Sequence, residues 1–260
     1  MKQTAMSGVK VAAAIAAIVA TVSAVGEAAA KRENDGRLIR DTRDMRGCVL
    51  FVNAQRRVDV SGGVDSAIAA LDAEFHYDIR RTEAESEVSL MGAPELRRTL
   101  KATVAVFVVD RTDLPAFTAL PDERVTLLNV APLAAGGIEG KRLGKRIRTG
   151  ALRAFAFAFG AGFSQYDSIL MSAADSPVEL DIVPSKAFLP FDTALVIRRA
   201  AASRGIAPYR MEFYETACRE GWAPAPTNDV QRAIRDEVLA DKERGPTNPI
   251  TIPPPNQKKK

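Results

Sequence analysis

The stretch RAFAFAFGAGF, residues 153–163, followed by Met171 and by LPFD at residues 189–192, decides how this chain is read. The alternation of Phe155, Phe157 and Phe159 suits a strand, but a helix and a strand are hard to tell apart over so short an apolar run. The residues from 141 onward settle the choice. They are good helix formers without strand character. One long helix is therefore expected over residues 141–159, basic at its start and apolar at its end.

Upstream, apolar and β-branched runs predict strands at residues 48–52, 77–81, 102–109 and 124–130. Apolar positions Val64, Ile68, Leu71 and Phe75 recur at helical spacing. A short helix is expected at 94–101. Downstream, three helices are expected at 193–204, 208–220 and 228–242. Strands and helices mixed first, then a long helix and further helices, give an α/β domain with a mixed sheet and a helical C-terminal part. The domain is expected to cover residues 46–244, after a polar lead-in at 31–45. A proline-rich tail at 245–260, ending in Lys258, Lys259 and Lys260, is expected to be disordered.

The first residues read as a secretory signal over 1–30. Lys2 and Lys10 precede an apolar run at 11–25, and Ala28 to Ala30 offer an A-x-A cleavage site. That run falls short of the ~20 residues a spanning helix needs. The expected location is secreted or periplasmic, with no membrane span once the signal is removed. Formal net charge is +4 over 260 residues with 6% aromatics. No basic stripe alternates with stacking residues, so no nucleic-acid partner is expected. Cys48 and Cys218 are the only cysteines. In an oxidising compartment they form either one long-range disulfide or two buried thiols.

The spacing from Arg153 to Asp192 resembles that of the archaemetzincins. Their pattern is H-E-x-x-H-x-x-G-x-x-H-C-x4-C-x-M-x17-C-x-x-C. Gly160 and Met171 fall in register with the family's glycine and methionine. Arg146, Pro190 and the strand at 102–109 followed by Asp113 and Leu114 match the family's context. The resemblance covers about residues 45–205. It implies a metzincin-like layout: a mixed sheet, a long central helix and a Met-turn beneath the site.

In such a protease two histidines one helical turn apart reach a single zinc ion, and the glutamate acts on zinc-bound water as general base. Here Arg153, Phe157 and Phe163 stand at the histidines and Ala154 at the glutamate. Ser164, Ile169, Leu189 and Asp192 stand where the family's structural-zinc cysteines would be. A guanidinium has no lone pair to offer a cation, and His76 is the one histidine of the chain. The expectation is a pseudoprotease with no enzymatic activity, no catalytic residue, no metal and no cofactor. It would be a binding or structural module, with Phe157 and Phe163 filling the metal cavity. The sharper version keeps a cleft that takes a peptide or protein.

An alternative reading rests on Ser61-Gly-Gly-Val-Asp-Ser66, which is similar to the phosphate loop of the ATP pyrophosphatases. Residues 56–60 lead into it with polar character, unlike the apolar strand such loops follow. A Gly-Gly turn with Asp65 or Ser66 at a helix start explains the same letters. A third reading is an exported α/β scaffold unrelated to proteases.

Overall fold

The computed structural model describes residues 35–164, 170–172, 177–184 and 187–244. The chain divides into two compact units, one spanning Asp41–Arg210 and one built from residues up to Arg40 together with those from Met211 onward. The expected signal and the proline-rich tail lie outside the described residues.

In the larger unit the elements follow in the order β2 (Val49–Asn53), α1 (Ser61–Phe75), β3 (Ile79–Glu83), α2 (Ala93–Thr99), β4 (Val104–Val109), β5 (Phe117–Leu120), β6 (Val125–Asn129), α3 (Val130–Leu133), α4 (Gly140–Ala158) and α5 (Phe191–Ser203). Five strands form one sheet in the order β3-β2-β4-β6-β5. β2 pairs in parallel with β3 and β4, and β4 with β6, while β5 runs antiparallel to β6. The fold is thus a mixed α/β layout, mostly parallel, with a long helix on it.

Why these strands sit in the middle follows from their side chains. All of Val104–Val109 is buried, as expected for a strand covered on both faces. Val104, Val106 and Val108 join one apolar cluster with Val49 and Phe51, and Ala105, Phe107 and Val109 join another with Leu50 and Val52. The period of two distributes one continuous apolar run between two layers. α1 and α4 cover the first face and α2 the second. The chain leaves β2 through α1 to reach β3, then returns through α2 to β4. A helix on each face is what right-handed crossovers require when the chain reverses across a sheet. The edge strand β3 carries Arg80, Arg81 and Glu83, charges that discourage further strand pairing.

α4 is the central helix that the sequence predicts. Thirteen of its residues are buried, including every one from Thr149 to Ala158. Two glycines let it sit close to its neighbours. A Cβ at Gly150 would come 2.8 Å from Leu128 on β6, and one at Gly63 of α1 would come 2.7 Å from Ile147.

Three local expectations are corrected. Residues 117–120 form the edge strand β5, which the sequence reading leaves out. In the smaller unit, β1 (Leu38–Asp41) and β7 (Arg210–Phe213) form a two-stranded sheet, so part of the polar lead-in is a strand. The single helix expected at 208–220 is β7 followed by α6 (Tyr214–Glu220); pairing with β1 holds its first residues extended. Ile39, Tyr214 and Ala217 make this unit's small core, with Ile234 of α7 (Asp229–Arg244) packed against it. The Tyr214 hydroxyl donates to the Pro224 carbonyl at 2.7 Å.

Candidate functional site

Gly160 ends α4 with φ of +84°. Its N–H donates to the Phe157 carbonyl at 2.9 Å, and the Ala161 N–H to the Ala156 carbonyl at 3.1 Å. This pair of bonds is the Schellman arrangement, whose left-handed position suits glycine. The chain then turns back along the helix end. The Ser164 N–H donates to the Met171 carbonyl at 2.9 Å, and the Met171 side chain is fully buried in the main core.

Arg153 is 1% exposed. Its Nε donates to the Leu170 carbonyl. Burial pushes its pKa down, and nearby Glu179 acts in the opposite sense. The residue at the first family position therefore ties the Leu170–Met171 turn to the helix. Ala154 is buried beside it.

Phe157 and Phe163 meet edge to face, with ring centroids 5.3 Å apart, and Phe117 of β5 meets Phe157 at 5.7 Å. Phe157 is buried but Phe163 is 52% exposed. The expectation that both rings fill a core is thus corrected: one does, and the other lies over it with a face to solvent. The Ser164 hydroxyl donates to the Asp192 carboxylate at 3.4 Å, so two of the four structural-zinc positions come together. Leu189 is half-buried on the approach to α5, and Ile169 lies outside the described residues. Cys48 lies in the larger unit and Cys218 in the smaller, each half-buried. His76 caps the end of α1 in the left-handed conformation and faces Tyr209, ring centroids 5.4 Å apart.

One part of the site escapes sequence reading. Arg146, 2% exposed, sends Nε and Nη2 to the two carboxylate oxygens of Asp181 at 2.9 and 2.8 Å, and Nη1 to the Leu133 carbonyl at 2.9 Å. Arg142 adds two bonds to Asp181, and Lys145 donates to its carbonyl. The hydrogen bonds from Arg146 and then Arg142 hold the Asp181 carboxyl well below the usual carboxylate range, against the opposing effect of burial. This clamp fixes the short 3-10 turn Pro177–Asp181 on α4. Its sequence signal is the dense basic run at 141–148, which does not say which acid it meets.

At Ser61–Ser66 the helix begins at Ser61 itself. Asp59 accepts from the Ser61 N–H at 2.9 Å. Gly63 is required by the approach of α4, since a Cβ would also lie 2.8 Å from the Gly144 carbonyl. Gly62 faces open space. Neither Asp65 nor Ser66 caps the helix.

No protein-family model and no curated protein matches the sequence. Solved structures do match in shape. Archaemetzincin (AmzA) from Methanopyrus kandleri is 13% identical, with a TM-score of 0.47, over 62% of this chain and 98% of that one. A zinc-dependent peptidase from Methanocorpusculum labreanum is 15% identical, with a TM-score of 0.43, over 58% of this chain and all of that one. The likeness is one of chain path alone, over about three fifths of this chain. The expectation that the chain is no enzyme is withdrawn on this finding. One of these two solved chains is named a zinc-dependent peptidase, and the side chains of one helix do not speak to chemistry elsewhere in the molecule.

A zinc ion does not fit the residues that the spacing from Arg153 to Phe163 sets against the archaemetzincin histidines. Arg153 is a buried cation already bonded to a carbonyl, and Phe157 and Phe163 have no lone pair to donate. Among the described residues no group of three or more His, Cys, Asp or Glu is placed to hold a metal ion.

Proposed function

We propose that this chain is an exported binding protein on an archaemetzincin-like fold, which takes an apolar segment of a peptide or protein beside the Gly160 turn. The observation that carries this reading is the exposure of two phenylalanines in neighbouring segments there: Phe163 at 52% and Phe191 at 80%. Exposed aromatic surface gathered in one place marks an interaction site more often than a scatter of single apolar residues does. The Ser164–Asp192 hydrogen bond joins the segments that hold Phe163 and Phe191. The Phe163 ring also packs edge to face on the buried Phe157. Export rests on the basic, apolar and small-residue order of residues 1–30.

Two measurements test the two halves. N-terminal sequencing of protein from a secreting host should begin at residue 31; a start at Met1 speaks against export. Random twelve-residue peptides displayed on phage should enrich aromatic and aliphatic sequences on the wild type. The same sequences should be lost on a Phe163→Ala, Phe191→Ala variant that still melts near the wild type.

A further inference from the structure

The surface that holds Phe163 and Phe191 is not uniformly apolar. Each of these residues is next in sequence to one partner of the Ser164–Asp192 hydrogen bond. Val196, 41% exposed, stands four residues beyond Asp192 on α5 and so continues the same helix face. Asp192 itself is exposed. A carboxylate thus stands among exposed apolar side chains.

That carboxylate keeps acceptor capacity. Its Oδ1 accepts from the Thr193 N–H at 2.9 Å, at the start of α5. Its Oδ2 accepts from the Ser164 hydroxyl at 3.4 Å, where a hydroxyl on a carboxylate ordinarily sits at about 2.5–2.7 Å. An ionised carboxyl offers about four lone-pair sites, so a short bond and a long one leave room for a further donor. On α5, Arg198 is engaged by Glu74 and Arg204 by the Ala158 carbonyl. Among the described residues no cation pairs with Asp192.

The two rings are open in the same sense. Phe75 and Phe159 each carry a guanidinium over the face, from Arg198 and Arg204, at 5.5 Å. Among the described residues no cation lies over Phe163 or Phe191. A phenyl face attracts a cation through its quadrupole, and a carboxylate attracts the same charge. Both features therefore suit one kind of group, a cation on an apolar stem. Lys and Arg have that build, laying the stem along apolar surface and keeping the charged end in water. A wholly apolar segment would pack on the rings but would strip water from Asp192 without replacing it.

We propose that the peptide or protein segment taken by this surface carries a Lys or Arg beside its apolar residues. The charged end meets the Asp192 carboxylate, and the stem lies on Phe163 and Phe191. An acidic residue at the same place faces Asp192 and is refused, so the carboxylate selects by repulsion as well as attraction. This charge requirement rests on the peptide-binding reading and adds to it which peptides are chosen.

The test uses two synthetic peptides, acetyl-Phe-Arg-Phe-amide and the same peptide with citrulline in place of arginine, which keeps the shape and removes the charge. Each is titrated into the full chain and followed by amide chemical shifts in NMR, which read weak binding. The wild type should bind the arginine peptide about three- to tenfold more tightly, as expected of one exposed cation–π contact and one exposed ion pair. In Asp192→Asn that preference should fall below about twofold. Asparagine keeps an oxygen for the Thr193 N–H, so this variant should melt near the wild type. A second measurement needs no variant: raising KCl from about 0.05 to about 0.5 M should weaken the arginine peptide on the wild type and leave the citrulline peptide unchanged. Equal binding of the two peptides to the wild type, with both weakened in the Phe163→Ala, Phe191→Ala variant, overturns the charge requirement and leaves the peptide surface standing. A preference that survives in Asp192→Asn, or that salt does not reduce, also overturns it. If neither peptide binds the wild type, or if both bind the phenylalanine variant as well, the charge requirement falls together with the peptide reading.

Discussion

Replacing Asp181 by asparagine should destabilise the larger unit by about 2–3 kcal/mol. The substitution keeps the shape and removes the charge. It leaves the Arg146 guanidinium, 3% exposed, without the carboxylate that accepts two of its bonds. Removing one partner of a buried ion pair costs about 3–5 kcal/mol. Asp181 itself is 18% exposed, so water supplies part of what the carboxylate did, and the figure falls below that range. For a unit of this size about 1 kcal/mol moves the melting temperature by ~2–4 °C, so a fall of ~4–12 °C is expected.

The pH dependence follows in sign. The folded carboxyl lies below its ordinary value of 3.8, chiefly through the Arg146 hydrogen bonds. The pair's contribution is thus fully present above about pH 4 and is lost as pH falls through the lower folded value. Urea unfolding followed by circular dichroism, for wild type and Asp181→Asn at pH 7 and at pH 3, reads both effects. The gap between the two proteins should narrow at pH 3. A gap under about 0.5 kcal/mol at pH 7, or one that widens on acidification, refutes the reasoning.

Other outcomes follow from the same geometry. Phe157→Ala should cost about 3–5 kcal/mol in urea unfolding, because it empties a buried ring site. Phe163→Ala, whose ring is half exposed, should cost under about 1.5 kcal/mol. Gly63→Ala should cost about 1–3 kcal/mol, since the new methyl would sit 2.7 Å from Ile147 and 2.8 Å from the Gly144 carbonyl; thermal melting checks it. Gly160→Ala should cost about 1 kcal/mol at its φ of +84°, and Gly160→Asn less, as asparagine tolerates the left-handed region better.

The sheet was legible where burial writes itself into composition. Val104–Val109 is β-branched and buried throughout, and no other element suits such a run. α4 was legible against the Phe alternation because its earlier turns carry helix-forming residues on one buried stripe. β1, β5 and β7 were not, for a shared reason. Each has four residues, and each exists because a partner strand pairs with it. The helix expected at 208–220 failed at Arg210–Phe213, where pairing with β1 overrides local preference.

At the candidate site, Gly160 takes a left-handed turn at the end of α4 and Met171 is fully buried. Phe163 was misjudged because sequence reports a ring's size, not which face water reaches. The clamp joins Arg146 to an acid in a different element, a pairing that no local pattern encodes.

Whether the exposed phenylalanines beside the Gly160 turn form a peptide-binding surface is tested most directly by fluorescence anisotropy. A labelled twelve-residue peptide, taken from the phage selection, is titrated with wild type and with the Phe163→Ala, Phe191→Ala variant. A micromolar dissociation constant for the wild type, weakened at least about tenfold in the variant, is the predicted result, since each well-packed aromatic anchor is worth more than about 1 kcal/mol. Equal affinity for the two proteins, or no selected peptide that binds the wild type, contradicts a peptide-binding role for this surface.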